Sequence, residues 1–229
     1  MSDKMKIVAA QEAIKNVKDK MKLGLGTGST VNEFLKILSE KVKGGLDIVG
    51  VVTSEKTRVL SENLGIPLTS LSTVKSLDLT IDGADEIDSD LSLIKGGGGA
   101  LLREKIVAYN SKKLIIIADK SKIVSKLGDF TLPIEVSSYE HEVTSSRIMR
   151  KLEIIGYEGS IKLRLINDSI FVTDGGNLIY DLSIGLISEP YIVEQLLNSI
   201  PGVFENGLFI NLTDHVIIGE EEGAKIIKK

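Results

Sequence analysis

The sequence predicts an α/β fold, an open parallel sheet with helices on both of its faces, joined to a smaller α+β part. Two observations predict it. Over the first two-thirds of the 229 residues, short apolar segments alternate with longer segments of helical periodicity, which is the pattern of parallel strands covered by helices. After about Phe130 the pattern changes to alternating apolar and polar residues with turn signals, which is typical of antiparallel hairpins.

The first part of the chain is predicted to alternate between strands and helices. Short runs such as KLGLG and LIIIAD have the length and apolar content of buried strands, and the segments between them place apolar residues three or four positions apart, as amphipathic helices do. The predicted elements are an N-terminal helix, strand 22–26, helix 29–43, strand 47–52, helix 54–64, strand 77–82, helix 99–110 and strand 114–119.

The second part is predicted to be antiparallel, because turn signals at Asn167-Asp168 and at 174–177 divide an alternating segment. The predicted elements here are strand 131–136, helix 141–155, the hairpins of 160–182, helix 190–199 and strands 208–212 and 215–218. We therefore expect a Rossmann-like α/β domain of residues 1–130 and 206–229, to which the last strands return. An inserted α+β domain of residues 131–205 completes the prediction.

Composition excludes several classes of protein. The net charge is −4, so the electrostatic case for a nucleic-acid partner is missing. The absence of cysteine excludes a disulfide scaffold, a thiolate nucleophile and a Cys-ligated metal. The N-terminal segment mixes charges into its apolar positions, unlike a signal peptide, and the run LIIIA is too short to span a bilayer. We expect a cytoplasmic protein without a membrane partner.

The first candidate site is the glycine loop GLGTGST, residues 24–30, between a strand and a helix. Such a turn directs free N–H groups and the positive end of the helix dipole at one point, which suits a phosphate. A dinucleotide fingerprint would need glycine at Ser29, and a P-loop would need a lysine that is absent. An ordinary helix cap is the alternative, which the loop alone leaves open.

The second candidate site combines an acidic turn with another glycine loop. In LDLTIDGADEID the carboxylates begin where a strand ends, the edge of a parallel sheet at which ligands bind. A calcium loop does not fit, because Leu91, Ser92 and Leu93 stand where its ligands and glycine belong. A solvated acidic turn is the usual explanation of such a run, but it leaves unexplained the Lys95–Gly99 loop that opens the next helix.

That helix, ALLREKIVAY, is apolar nearly all round and is therefore expected to be buried. Arg103, Glu104 and Lys105 spread over about 200° of the helix, at about 100° per residue, so one of them is expected to face inward. A buried ion must be paired or have a function. An ordinary trio of surface charges remains the alternative.

Five motifs in this order resemble type A ribose-5-phosphate isomerase, and the similarity extends over nearly the whole chain. They are Thr27-Gly28-Ser29-Thr30, Asp82-Gly83-Ala84-Asp85-Glu86, Lys95-Gly96-Gly97-Gly98, Arg103-Glu104-Lys105 and Ala118-Asp119-Lys120-Ser121-Lys122. One departure is Asp174-Gly175-Gly176-Asn177, where the family is expected to have Asp-Asn-Gly-Asn. It lies in the predicted inserted domain and affects no proposed catalytic residue.

The resemblance implies interconversion of D-ribose 5-phosphate and D-ribulose 5-phosphate through an enediolate, in the non-oxidative branch of the pentose phosphate pathway, without a metal or organic cofactor. It makes Glu104 the base, and it assigns ring opening, hydroxyl positioning and charge stabilisation to Asp82, Asp85 and Lys95. The substrate-binding residues it implies are Thr27, Gly28, Ser29, Thr30, Gly83, Ala84, Gly96, Gly97, Gly98, Lys122 and Lys6.

Two other functions stay open at this point. A non-catalytic phosphosugar sensor of the same fold class would need a DNA-binding module, and only one helix precedes the first strand. A CoA transferase with a glutamate nucleophile would form a glutamyl adduct with acyl-CoA. The apolar C-terminal strands and the inserted domain suggest self-association, as a homodimer or homotetramer.

Overall fold

The computed structural model describes residues 2–228 and divides them into two compact units. Seven α-helices are described: α1 (Ser2–Ala13), α2 (Ser29–Lys43), α3 (Glu55–Asn63), α4 (Leu71–Val74), α5 (Leu101–Tyr109), α6 (His141–Ile154) and α7 (Pro190–Asn198). The strands are β1 (Lys22–Leu25), β2 (Val49–Val52), β3 (Leu79–Asp82), β4 (Glu86–Ile87), β5 (Leu93–Ile94), β6 (Leu114–Asp119), β7 (Leu132–Val136), β8 (Ser160–Leu163), β9 (Leu165–Ile166), β10 (Ser169–Ile170), β11 (Leu178–Ser183), β12 (Val203–Asn206), β13 (Leu208–Phe209), β14 (His215–Gly219) and β15 (Ala224–Lys228).

The first unit comprises Met1–Ala84, Arg103–Ile123 and Asn211–Lys229. Its sheet has the strand order β15-β14-β6-β3-β1-β2. All neighbouring pairs are parallel except β14 with β15, which are antiparallel. The predicted open parallel sheet is confirmed, and β15, which the sequence did not predict, makes it a mixed sheet.

Helices cover both faces of this sheet, as predicted. On one face, α1 and α2 pack on the strands through a core that includes Ala9, Phe34 and Leu38. On the other face a smaller cluster joins α5 to β2 and to the α4 segment. Alternate strand residues serve the two faces: a Cβ at Gly24 of β1 would lie 2.7 Å from the Val107 side chain of α5. Glycine there lets the helix approach the strand.

The second unit comprises Asp85–Leu102 and Val124–Ile210. It contains an antiparallel sheet of order β12-β7-β11-β8 and a three-stranded sheet of order β13-β5-β4. Helices α6 and α7 pack against the larger sheet in one apolar core with Ile148, Val193 and Leu197. The predicted turn at Asn167-Asp168 joins β9 to β10, and both residues have positive φ (50° and 60°), as a tight hairpin requires.

Two features differ from the sequence-based expectation. Strand β13 was expected to return to the α/β domain, but it pairs with β5 in the second unit. The two compact units also have other bounds than the predicted domains, because residues 85–102, 124–130 and 206–210 belong to the second unit. Among the residues described, no helix has the length and apolar content to cross a membrane.

Candidate functional site

The first glycine loop connects β1 to α2 in the first unit. A Cβ at Gly26 would lie 2.1 Å from Oδ1 of Asp82, so only glycine fits at that position. Gly28, with φ at 129°, caps α2, and the first intrahelical bond runs from the Asn32 N–H to the Gly28 carbonyl (2.9 Å). The N–H groups at the start of α2, those of Ser29 and Thr30 included, precede that bond and are available to an anion.

The hydroxyl group of Thr27 is turned into the protein. Its Oγ1 lies 2.8 Å from the hydroxyl oxygens of Thr53 and Ser54 and 3.2 Å from that of Thr57. Thr57 in turn donates to the Gly26 carbonyl (2.8 Å). Thr27 therefore fixes the loop to the start of α3, whereas Ser29 is exposed and Thr30 half-exposed at the helix N-terminus.

Asp82 ends β3 and is fully buried. Its Oδ1 accepts hydrogen bonds from the N–H of Thr27 (3.0 Å) and of Gly83 (2.7 Å). Parallel pairing of β1 with β3 brings the two strand ends together, and the bonds then join the first glycine loop to the acidic turn. Gly83 and Ala84 follow and are half-buried.

Helix α5 buries the side chain of Glu104, which is 4% exposed. Lys105 is also buried, whereas Arg103 reaches Glu55 on α3 (Nη1 to Oε1, 2.8 Å). The guanidinium groups of Arg103 and Arg58 hold the pKa of Glu55 below its ordinary value. The prediction that one charge of the trio faces inward is confirmed.

Part of the expectation for α5 was wrong. The helix was expected to be buried nearly all round, but Ile106 and Tyr109 are exposed. They fall on one side of the helix, while Leu101, Glu104 and Ala108 are buried on the other, so α5 is amphipathic with a carboxylate on its buried side.

The two lysines predicted to assist at the phosphate lie in different settings. Lys122 ends the 3-10 turn Lys120–Lys122, which Asp119 caps by accepting from the Ser121 N–H (2.9 Å). Lys6 lies on α1, and its Nζ is 3.2 Å from Oδ1 of Asp3. Contact of either lysine with a phosphate stays a prediction.

In the second unit, Asp85 is hydrogen-bonded to the second glycine loop. Its N–H donates to the Ile94 carbonyl (2.8 Å), and its Oδ2 accepts from the N–H of Gly97 (2.8 Å). A Cβ at Gly97 would lie 2.8 Å from Oδ1 of Asp85 and 3.0 Å from the Phe130 ring. Glycine is needed there because the carboxylate and the ring both press on the loop.

Lys95 precedes the glycines and is buried, with its Nζ 5.4 Å from the centre of the Phe209 ring. Its N–H donates to the Gly207 carbonyl (2.9 Å). The loop then turns back on itself, since the Gly99 N–H donates to the Gly96 carbonyl (2.9 Å) and both residues have positive φ. Gly97 and Gly98 are exposed at the tip of this turn.

Two carboxylates of the acidic turn have structural partners that the sequence did not reveal. Glu86 is buried, and its two oxygens accept from the N–H groups of Gly128 (2.7 Å) and Phe130 (2.5 Å). Asp88 accepts from the N–H groups of Asp90 and Ser92. The partners of Glu86 lie more than forty residues away, so no local pattern could have identified them.

The arrangement offers hydrogen-bond donors and carboxylates but no metal-binding cluster. In residues 2–228, no group of three or more Asp, Glu or His side chains is placed to hold a metal ion. The first unit presents a helix N-terminus and two buried carboxylates, Asp82 and Glu104. The second unit presents a lysine, a carboxylate and a glycine loop. Such groups can bind an anion, move protons and stabilise an oxyanion.

Comparison with known proteins identifies relatives over the whole chain. The family model described as Ribose 5-phosphate isomerase A (phosphoriboisomerase A) matches residues 49–223. The ribose-5-phosphate isomerase A of Agrobacterium fabrum is 51% identical over 98% of this chain and 97% of the relative. That of Brucella suis is 52% identical over 99% of this chain and 97% of the relative.

Solved structures agree with the sequence comparison. A D-ribose-5-phosphate isomerase in complex with phospho-erythronic acid has a TM-score of 0.92 and 40% identity, with both chains covered completely. The ribose 5-phosphate isomerase of Plasmodium falciparum has a TM-score of 0.94 and 37% identity over 99% of each chain.

Proposed function

Because this chain belongs to the ribose 5-phosphate isomerase A family, we propose that it interconverts D-ribose 5-phosphate and D-ribulose 5-phosphate. The observation that carries the proposal is the burial of Glu104 on α5. Burying a carboxylate costs free energy, so a buried one is expected to be paired or to have a function. A related isomerase binds phospho-erythronic acid, a phosphorylated sugar acid, which supports a sugar phosphate as the ligand here.

Glu104 is the proposed base. Moving the carbonyl group from C1 to C2 requires a group that removes the proton from C2 and returns it to C1 through an enediolate. One carboxylate can perform both transfers, because it is neutral and able to donate after the first.

The remaining roles fall to the two acidic residues and the lysine. Asp82 and Asp85 are proposed to open the furanose ring and hold the hydroxyl groups, since each is already fixed by backbone N–H groups. Lys95 and the N–H groups of the second glycine loop are proposed to stabilise the negative charge that develops on the enediolate oxygen.

The phosphate is proposed to bind at the N-terminus of α2. The N–H groups of Ser29 and Thr30 come before the first intrahelical bond, and the hydroxyl groups of both residues lie at the accessible start of the helix. With the Thr27 hydroxyl held elsewhere, this residue contributes by fixing the loop. Lys122 is a further candidate contact, and Lys6 a weaker one.

The cell biology of the enzyme is also a proposal. We propose that the reaction belongs to the non-oxidative branch of the pentose phosphate pathway, with which family membership is consistent, and that the protein is cytoplasmic, which its composition favours. We propose a homodimer or homotetramer, which sedimentation of the purified protein would test.

A coupled assay for ribulose 5-phosphate formed from ribose 5-phosphate tests the activity, run with and without EDTA. We expect turnover that survives exhaustive chelation. If EDTA abolished turnover and Mg²⁺ or Mn²⁺ restored it, Asp82 and Asp85 would have to be reassigned as metal ligands.

A further inference from the structure

Arg164 lies between β8 and β9 in the second unit, and its side chain is only 11% exposed. Its backbone is fixed on both sides, because its N–H donates to the Ile179 carbonyl (2.8 Å) and its carbonyl accepts from the Phe171 N–H (3.0 Å). A guanidinium group buried to this degree needs partners for its donors.

One side of the guanidinium group is held by Asp181 of β11. Nε donates to Oδ2 of Asp181 (2.9 Å), and Nη2 donates to Oδ1. This two-point contact fixes the plane of the guanidinium group.

The other side of the guanidinium group contacts the second glycine loop. Nη1 of Arg164 donates to the carbonyl of Gly96 (2.8 Å) and, at longer range, to that of Gly97 (3.3 Å). Both bonds are made to main-chain carbonyls, so they act directly on the peptide groups of the loop.

Because the peptide group is planar, a contact that fixes a carbonyl also fixes the direction of the N–H group in the same peptide. No peptide bond among the described residues is cis, and in a trans peptide the C=O and the following N–H point in opposite directions. The peptide that gives its carbonyl to Arg164 therefore directs the Gly97 N–H the other way, and that N–H donates to Asp85 (2.8 Å). Arg164 and Asp85 hold one peptide group from its two ends.

The same reasoning applies to the next peptide. Its carbonyl, that of Gly97, accepts from Arg164, so the N–H of Gly98 points away from the guanidinium group. Gly97 and Gly98 are the exposed residues of the turn. A positive charge at the carbonyl end also polarises each peptide, which strengthens its N–H as a donor.

A neighbouring ring supports the turn from the same hairpin. The Phe171 ring centre lies 5.9 Å from Cζ of Arg164, and a Cβ at Gly99 would lie 2.3 Å from that ring. The hairpin that begins at Arg164 therefore packs against the turn at both of its ends.

We propose that Arg164, fixed by Asp181, is a positioning residue of the isomerase. Its contact with the Gly96 and Gly97 carbonyls holds the Gly97 N–H on Asp85 and directs the Gly98 N–H at the oxygen that becomes negative in the enediolate. This inference rests on the proposed function. It predicts a defect in kcat more than in KM, because the aimed donor interacts most strongly with the charge of the transition state.

Steady-state kinetics of Arg164→Met and Arg164→Lys provide the test, with Arg150→Met as the matched control. Arg150 is an exposed arginine of α6 in the same unit. Loss of a whole oxyanion donor costs about 10²–10³-fold in kcat, and a donor that is present but no longer aimed should cost less. We expect kcat of Arg164→Met to fall about 10- to 100-fold, with KM within about twofold of wild type.

Arg164→Lys should recover part of this loss, because the charge remains but the fork does not. Arg150→Met should leave both constants unchanged. If folded Arg164→Met had the same kcat as wild type, the proposal would be overturned, whatever the effect of the substitution on thermal stability.

Backbone resonances give a readout that does not depend on turnover. In ¹⁵N-glycine-labelled protein, the Gly97 and Gly98 amide signals should move in Arg164→Met and stay in place in Arg150→Met. Unmoved signals would also overturn the proposal. If wild type itself lacked isomerase activity, the proposed function would fail, whereas the amide shifts would still report whether Arg164 holds the turn.

If Arg164→Met does not fold, Asp181→Asn takes its place. That variant keeps the guanidinium group but loses its charged anchor, so a smaller fall in kcat is expected. An unchanged kcat in a folded Asp181→Asn enzyme, together with unmoved Gly97 and Gly98 signals, would count against the proposal.

Discussion

All four carboxylates of residues 82–88 accept hydrogen bonds from backbone N–H groups. Asp82, Glu86 and Asp88 each accept two, and Asp85 accepts one from the glycine loop. Burial raises the pKa of Asp88, against the lowering effect of its N–H donors. A merely solvated turn would not need such partners, so at the residue scale the acidic run has a structural explanation beside its proposed catalytic one.

Glu86→Gln tests the structural part of that explanation. The amide keeps one acceptor oxygen but turns an NH₂ group toward a backbone donor, so one bond is lost and the other weakens. We expect a loss of about 1–3 kcal/mol in the free energy of unfolding, the cost of leaving a buried polar group unpaired. Urea denaturation measures it. Glu153→Gln, on the exposed side of α6, is the control and should change little; equal stability of both variants would contradict the prediction.

Glu104→Gln tests the proposed base. The amide keeps the shape of the side chain but cannot accept the C2 proton, and general base catalysis is worth about 10²–10⁴-fold. We expect kcat to fall by at least that order while the sugar phosphate still binds. Glu62→Gln, an exposed glutamate of α3, should remain fully active.

Solvent exchange gives a sharper test of the same assignment. Wild-type enzyme in D₂O should introduce deuterium at C1 of ribulose 5-phosphate, because a carboxylate proton exchanges with solvent.

Near-normal turnover of Glu104→Gln would make Glu104 a structural ion and move the search for the base to Asp82 and Asp85.

At the element scale, the hydroxyl groups of the loop between β1 and α2 lie in different surroundings. Thr27 turns to the cluster of Thr53, Ser54 and Thr57, while Thr30 remains at the start of α2. The same four-residue motif therefore bonds one threonine into the protein and leaves another accessible at the helix N-terminus, where the phosphate is proposed to bind.

Thr30→Val should accordingly affect substrate binding, whereas Thr27→Val should affect the stability of the fold. We expect Thr30→Val to raise KM for the sugar phosphate with little change in kcat, because phosphate contacts are alike in the ground and transition states. Thr27→Val removes the centre of a hydroxyl cluster and should lower the melting temperature, with about 1–3 kcal/mol lost. Kinetics and thermal denaturation of both variants check this; an unchanged KM in Thr30→Val would remove the phosphate from this loop.

Several of the longer elements could be predicted from the sequence with their bounds, whereas the short strands β4 and β5 could not. Helix α2 and strand β6 have the predicted bounds, because α2 contains several repeats of its apolar pattern and β6 is an almost continuous apolar run. Strands β4 and β5 have two residues each, which is too short for any period. The candidate site residues could be identified from the sequence, because the glycine and acidic motifs are formed by consecutive residues. The Thr27 direction, the Glu86 partners and the Arg164 contact could not, since they depend on distant residues.

At the scale of the whole molecule, His215 is expected to couple stability to pH. It begins β14, and its Nδ1 is buried without a hydrogen-bond partner among the residues described. Burial, and then the charges of Lys113 and Lys228, hold its pKa below the ordinary 6.5, against the opposite effect of Asp214.

The folded protein therefore binds this proton less readily than the unfolded chain does. The His215 contribution to stability is fully present above the unfolded pKa and is lost as the pH falls through the folded pKa. We expect the free energy of unfolding of wild type to decrease between about pH 7.5 and 5 more steeply than that of His215→Asn. Urea titrations at several pH values measure both slopes, and parallel curves would contradict the prediction.

The path of the chain between the two units has a consequence for biosynthesis. The sequence of the second unit is complete at Ile210, whereas β14, which lies between β6 and β15 in the first unit's sheet, is made only afterwards. Chains usually fold their N-terminal domain first as they leave the ribosome. Here the unit that contains residues 2–84 receives β14 only after the second unit has been made, so the edge of β6 that β14 covers stays unpaired until residues 215–219 have been synthesised.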